Sequence, residues 1–344
     1  MKKSLIIIIV LIFMSSVGTI AQQKNSNYRI ADKIHVDGDG GWDYLFMDEA
    51  THHLFISHGM VVQVLDVSTK NVIATIQDTR GVHGIAIAND LNKGFISNGK
   101  DTSVTVFNLQ NFTTIEKIKV TGNNPDAILY DPFTHRVFTF NGRSSNATVL
   151  DAKTNKVVGT IALEGKPEFA VTDSNGKIYV NIEDKSNISV IDPVAMKVIQ
   201  NWSIAPGEGP SGLALDNKTH RLFSVCDKLM VIVDALSGKV ITTLPIGDRV
   251  DGVAFDSEKK YAYSSNGDGT MTVVAEENEN TFKVLENVTT QKGARTIALD
   301  KLTHKIYLPT ADFGDTPEAT KENPHPRPSV IPGTFTILEI EFSK

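Results

Sequence analysis

The chain has 344 residues, 41% of them apolar and 22% charged, with 25 Gly, 13 Pro and one Cys. Lys+Arg 34 against Asp+Glu 40 gives a net charge of −6, so no overall field draws the protein to nucleic-acid phosphates or to anionic lipid. The single cysteine, Cys226, excludes an internal disulfide and a cysteine-rich metal site, and although the length alone suggests two domains, an all-β ring can use roughly 250 residues or more as one.

The chain begins with the positive start Met1-Lys2-Lys3, an unbroken apolar run from Leu5 to Met14, and a small, weakly polar stretch ending at Thr19-Ile20-Ala21. This three-part pattern predicts a secretory signal peptide over residues 1–21. The run is shorter than the ~20 apolar residues of a membrane span, and no cysteine follows it to carry a lipid. The expectation is an exported protein, periplasmic or extracellular, without a stable membrane anchor. Losing Lys2 and Lys3 takes the charge from −6 to −8.

From residue 42 onward one phrase recurs: a short apolar stretch ending in Asp, a polar turn, a second and a third apolar stretch, then a Lys-Val-Ile type start. The first stretches begin at Asp43, His83, Asp126, Glu168, Ser211, Asp251 and Arg295, spaced 40, 43, 42, 43, 40 and 44 residues apart. The third stretches end at Asp66, Asn108, Asp151, Asp192 and Asp234, spaced 42, 43, 41 and 42. A period of ~40–45 residues built from four short strands is the mark of a propeller blade. The runs are short, rich in Val and Ile and bounded by Gly, Asn and Asp, which argues against helical repeats. The predicted fold is all-β: a seven-bladed β-propeller with four-stranded antiparallel blades, forming a single domain over residues 22–344. The seventh unit lacks its own fourth strand, whereas Tyr28–Val36 is a spare one. The N-terminal strand is therefore expected to complete blade seven and close the ring, which removes exposed sheet edges.

The phrases Gly41-Trp42-Asp43-Tyr44-Leu45, Gly165-Lys166-Pro167-Glu168-Phe169-Ala170, Tyr179-Val180-Asn181-Ile182-Glu183-Asp184, Ser265-Asn266-Gly267-Asp268-Gly269-Thr270 and Gly293-Ala294-Arg295-Thr296 resemble the YncE-like secreted branch of the 40-residue YVTN β-propeller repeat family. The resemblance covers about residues 30–342 and implies the fold and export. It carries no catalytic motif.

The repeat separates structural histidines from candidate ones. His52, His135, His220 and His304 each follow a Thr three residues after a strand-ending Asp, so they are copies of one turn residue on separate blades. His53 aligns with Arg136, Arg221 and Lys305 and reads as a solvated position. His58 and His83 break their columns: His58 stands where other blades carry Asn98, Asn141, Asn181 or Asn266, and His83 opens the first strand of blade two. Both are expected on the same rim.

The first-strand column, Asp43, His83, Asp126, Glu168, Ser211, Asp251 and Arg295, is expected to converge on one mouth of the central channel. Trp42 and Tyr44 flank its first member. Crowded like charges raise carboxylate pKa values unless a cation offsets them. Three readings stay open. Asp43, His83, Asp126, Glu168, Asp251, Arg295, His58 and Trp42 could bind a small polar or cationic ligand, or a protein partner, through carboxylates and aromatic faces. Asp43, His58, His83 and Asp126 could hold a divalent cation (Ca, Mg or Zn), the alternative being a metal-dependent hydrolase or lyase of the lactonase-like propeller kind. Or each column residue merely caps its own blade. No cofactor is certain, no catalytic residue is assigned, no nucleic-acid partner is expected, and the chain is expected to be a monomer. A quinone enzyme fits poorly with only Trp42 and Trp202.

Residues 308–333 depart from the repeat and hold six of the 13 prolines, which stiffen an extended loop. A lid or docking arm with His325 and Arg327 at its tip, or a tolerated surface insertion, are the two readings. Asp37-Gly38-Asp39-Gly40-Gly41 lacks the later carboxylates of a twelve-residue calcium loop and reads as a tight connection. Cys226, among Phe223, Val225 and Leu229, reads as a buried inert thiol.

Overall fold

The computed structural model describes residues 27–343, except 321–323 and 325. The leader read over residues 1–21 and the loop-tip His325 lie outside the described residues. Seven four-stranded antiparallel sheets form a β-propeller. Blade one runs Trp42–Asp48, His53–His58, Val61–Asp66 and Asn71–Ile76, and five further blades repeat this order along the chain. Blade seven combines Ala298–Asp300, Lys305–Thr310 and Thr336–Phe342 with the N-terminal strand Tyr28–His35, which pairs antiparallel with Thr336–Phe342 from Tyr28 opposite Phe342 to His35 opposite Thr336. The ring is thus closed by pairing the two ends of the domain.

The repeated phrase has a local chemical cause. In five blades the first strand ends in an Asp that accepts hydrogen bonds from the turn that follows. In blade one, Ala50 N and Thr51 Oγ1 donate to Asp48 at 3.2 and 2.7 Å. Thr134, Thr219 and Thr303 repeat this on Asp131, Asp216 and Asp300. The next residue, His52, His135, His220 or His304, takes a left-handed conformation with φ between 52° and 58°, as the turn requires. In blades one to six the Asp or Asn that ends the third strand does the same for the next hairpin, as Asp66 does for Ser68 and Thr69. The histidines also tie blades together: His135 lies 3.0 Å from Asp90 of blade two and His304 lies 2.7 Å from Asp256 of blade six.

The core is a set of apolar clusters between neighbouring sheets. Phe55 and Val64 of blade one pack with Ile85 and Phe107 of blade two, and Leu54 and Ile56 of blade one with Tyr307 and Ile337 of blade seven. Close approach near the axis is set, in four of the blades, by a small residue directly after the first-strand column residue. Gly84, Ala127, Gly212 and Gly252 stand there, and a Cβ on Gly212 would come within 2.9–3.0 Å of Val253 N, Asp251 O and Gly252 Cα on the next blade. Cys226 is fully buried, and burial pushes its thiol up to about 12.

Candidate functional site

Five first strands carry a register irregularity where they begin, between Trp42 and Leu45, Val82 and Ile85, Pro125 and Ile128, Pro167 and Ala170, and Val250 and Gly252. An irregularity of this kind re-aims a side chain out of the regular alternation. The residues it releases, Asp43, His83, Asp126, Glu168 and Asp251, point into one mouth of the channel rather than into the blade interfaces. The backbone behind them is pinned from blade to blade. Ser97 Oγ donates to Asp126 O, Ser265 Oγ to Arg295 O at 2.6 Å, and Thr296 Oγ1 to Asp43 O at 2.7 Å, across the closing junction. Asn181 Nδ2 donates to Ser211 O at 2.9 Å.

The mouth is a charge network. His83 Nδ1 lies 2.6 Å from Asp43 Oδ2 and 3.6 Å from Asp126 Oδ1. Arg295 pairs with Asp251, reaches Asp43 Oδ1 at 3.8 Å, and donates to Trp42 O at 3.4 Å. Lys166 bonds to Glu168 at 2.7 Å and to Glu183. Burial raises the Asp126 carboxyl to about 6, with Asp43 adding to the shift and His83 opposing it. Burial also raises Glu168 to about 7, reinforced by Asp126 and resisted by Lys166. For His83, burial works against the charged ring, but the hydrogen bond to Asp43 and the charges of Asp126 and Asp43 outweigh it and lift the pKa above the ordinary value.

Below the charges the channel is blocked. Tyr44 and Phe169 occupy the column position that is Gly or Ala in four other blades. Their rings, from blades one and four, meet across the channel with centroids 5.4 Å apart. Tyr44 packs among Ala127 and Ala170 of blades three and four, and burial together with Asp126, Asp43 and Glu168 drives its phenol well above the usual range. On the far side a cavity of about 870 Å³ opens to the opposite face, lined by Leu45, Ile87, Leu129, Phe169, Val171 and Ile297 among others.

The structure brings together Asp43, His83, Asp126, Glu168, Asp251 and Arg295. It separates His58 and Trp42 from them. His58 is buried, its ring stacked on Phe335 at 4.0 Å and its Nδ1 bonded to Gln63 Oε1 at 2.9 Å. The strand-two ends tie into their own hairpins rather than turning to the axis: Asn98 bonds Ser103, Asn141 bonds Asn146, and Asn266 bonds Thr270. His58 does the same through Gln63. Among the described residues, the grouping able to hold a metal is Asp43, His83 and Asp126, whose ligand atoms lie within 4.8 Å of one another; His58 is not part of it. The Trp42 ring packs between Phe335 and Phe313, 5.3 and 6.1 Å away, so its carbonyl and not its face serves the mouth. Asn181 lies one residue short of the column, where Ile182 opposes Pro167. Lys166, which the repeat column omits, joins the site from the loop before its strand.

No family model matches the chain. Antigen Lp49 of Leptospira interrogans is 23% identical over 184 residues, 51% of this chain and 40% of that protein. The uncharacterized protein YncE of Salmonella typhi is 29% identical over 96 residues, 28% of this chain and 27% of that protein. The aligned stretches thus span less than half the length of these relatives. Among solved structures, a chain of Kuenenia stuttgartiensis hydrazine synthase superposes with TM-score 0.68 at 18% identity, covering 80% of this chain and 94% of that one. The WD40 repeats of RRP9 superpose with TM-score 0.74 at 10% identity, covering 90% and 98%. These two show the fold alone. No helix among the described residues is long and apolar enough to cross a membrane. With its seven blades and its N-terminal closing strand, the chain is a β-propeller, and over part of its length it is similar in sequence to YncE and Lp49.

Proposed function

We propose that the chain is an exported binding protein whose charged channel mouth takes a small polar ligand carrying positive charge. The observation that supports this most is the imbalance at the mouth. Four carboxylates, Asp43, Asp126, Glu168 and Asp251, share Arg295, Lys166 and His83, and two of them are left with raised pKa values, about 6 and about 7. A bound cation relieves that crowding and lets both carboxyls ionise. The Tyr44–Phe169 floor makes the mouth a shallow cup, which suits a compact ligand. Calorimetric titration with putrescine and spermidine tests the reading. Binding should release protons near pH 6 and be lost in Asp126→Asn. Silence toward organic and inorganic cations alike would remove the mouth from consideration.

One observation favours a second reading. Asp43, His83 and Asp126 offer three ligand atoms within 4.8 Å, and an imidazole with two carboxylates suits zinc better than calcium or magnesium. To ligate, His83 Nδ1 would give up its proton and its bond to Asp43. A metal there could polarise an ester carbonyl or activate water, the chemistry of a lactonase-like hydrolase. Elemental analysis, and melting with and without chelator, separate the two readings: bound zinc and a large chelator shift support the metal, and their absence supports the organic cation.

A further inference from the structure

The glycine-rich entry loop and the root of the proline-rich loop enclose a second cavity, of about 350 Å³, at the junction of blades one and seven. Gly38, Asp39, Gly40, His58, Ile331 and Phe335 are among the residues that line it. His58 is 2% exposed, and its Nε2 has no hydrogen-bond partner among the described residues. A buried polar atom without a partner is costly, and so calls for an occupant.

A relay fixes which form of the ring faces the cavity. Gln63 Nε2 donates to the carbonyl of Asp37 at 2.7 Å. That orientation turns Gln63 Oε1 toward His58 Nδ1, and an amide oxygen only accepts. Nδ1 therefore carries the proton, and Nε2 presents a bare lone pair. Burial, the largest influence, holds the ring below its ordinary pKa, against the hydrogen bond to Gln63, so the neutral form persists at neutral pH. The rest of the lining is apolar side chain and glycine backbone, with Asp39 as the one charged residue and no cation. Gly38 and Gly40 adopt φ of 130° and 116°, and a Cβ on Gly38 would strike the His58 ring at 2.9 Å. The loop is thus built to lie against the imidazole.

We infer that this cavity, separate from the channel mouth, is a binding site for a compact apolar molecule bearing one hydrogen-bond donor, which His58 Nε2 accepts. The volume lies at the small end of ligand pockets. The two loops that cover it carry the register-breaking features of the sequence, the Asp37–Gly41 run and the prolines after residue 308.

The full chain titrated with phenol, and with toluene as the isostere lacking the donor, tests the assignment. Phenol should bind at least tenfold tighter than toluene and move the His58 Nε2 resonance in a nitrogen-15 imidazole spectrum. That spectrum should show the neutral, Nδ1-protonated ring before phenol is added. His58→Asn places in blade one the residue that Asn98, Asn141 and Asn266 already supply at this register, so it should fold. It should lose phenol at least tenfold, whereas Asp126→Asn in the mouth should leave phenol binding unchanged. Equal binding of phenol and toluene, unchanged phenol binding in His58→Asn, or no phenol binding at all, which leaves the cavity to water, would each overturn the inference.

Discussion

His83 Nδ1 donates to Asp43 Oδ2 across 2.6 Å, joining blades one and two at the channel mouth, while Asp126 waits 3.6 Å away on blade three. One imidazole therefore bridges carboxylates from its two neighbouring blades. Its position is set by the paired register irregularities of two first strands, and its charge by the acids around it.

The raised His83 pKa makes a prediction whose sign can be worked out. A base that binds its proton more tightly when folded adds stability below its unfolded pKa, near 6.5. It loses that contribution as pH rises through the raised folded value. His83→Gln should thus cost about 1–3 kcal/mol at pH 6, where it leaves Asp43 and Asp126 without their shared cation, and less at pH 9, where the wild-type ring has itself lost charge. Denaturant unfolding at the two pH values measures both deficits. Equal deficits would show that His83 acts by shape rather than charge.

Asp126 behaves in the opposite sense to a typical paired acid. Its folded pKa, about 6, stands above the ordinary 3.8, so the folded chain holds this proton where the unfolded chain releases it. Stability should decline as pH rises from about 4 to about 6 and stay lower above. Asp126→Asn removes that loss and should stabilise the protein above pH 7, by on the order of 2 kcal/mol. Thermal melts of wild type and variant from pH 4 to pH 8 should diverge with rising pH; parallel curves would contradict the buried, crowded carboxyl described above.

The blade count, the strand order and the turn histidines are legible in the sequence because each rests on a periodic local rule. The Asp-x-x-Thr-His phrase is a hydrogen-bonded turn repeated around the ring, and the first-strand column follows from the same spacing. What the spacing does not carry is where a side chain turns at an irregularity. His58 stands at the mouth-side end of its strand, but the hairpin pairing that holds Asn98 to Ser103 holds it to Gln63, away from the axis. Trp42 adjoins Asp43 in sequence, yet alternation sends its ring into the blade-one/blade-seven interface. The channel floor had a signal that column comparison could have found: Tyr44 and Phe169 are bulky where Gly84, Ala127, Gly212 and Gly252 are small. Lys166 enters from a loop outside the repeat column, so periodicity could not place it.

The small residues of that column are themselves testable. At Gly212 an added methyl would press on three backbone atoms of the next blade at 2.9–3.0 Å, and backbone cannot rotate aside as a side-chain tip can. Gly212→Ala should therefore destabilise by about 1–3 kcal/mol. Gly41, with open space around its Cβ direction, should accept Ala with little change. Chemical denaturation of the two variants checks the contrast, and similar midpoints would mean the blades yield at the axis.

The last prediction concerns ring closure. The N-terminal strand buries Tyr28 and Ile34, and Val36 just beyond it, against blades six and seven and blade one. Tyr28 Oη shares a hydrogen bond of 2.8 Å with Tyr263 Oη of blade six. Burial, foremost, pushes the Tyr28 phenol up to about 12, so the bond is between neutral hydroxyls. Tyr28→Phe removes this bond and keeps the ring packing on Phe342, and should cost about 1 kcal/mol. Tyr28→Ala also empties a buried ring site and should cost about 3–5 kcal/mol. Deleting residues 22–36 exposes the unpaired edge of Thr336–Phe342, so the truncated ring should melt far below the full chain and self-associate through that edge. Melting temperature, read with light scattering for association, decides the matter. A truncated protein that melts with the full chain and stays monomeric would show that the ring closes without its N-terminal strand.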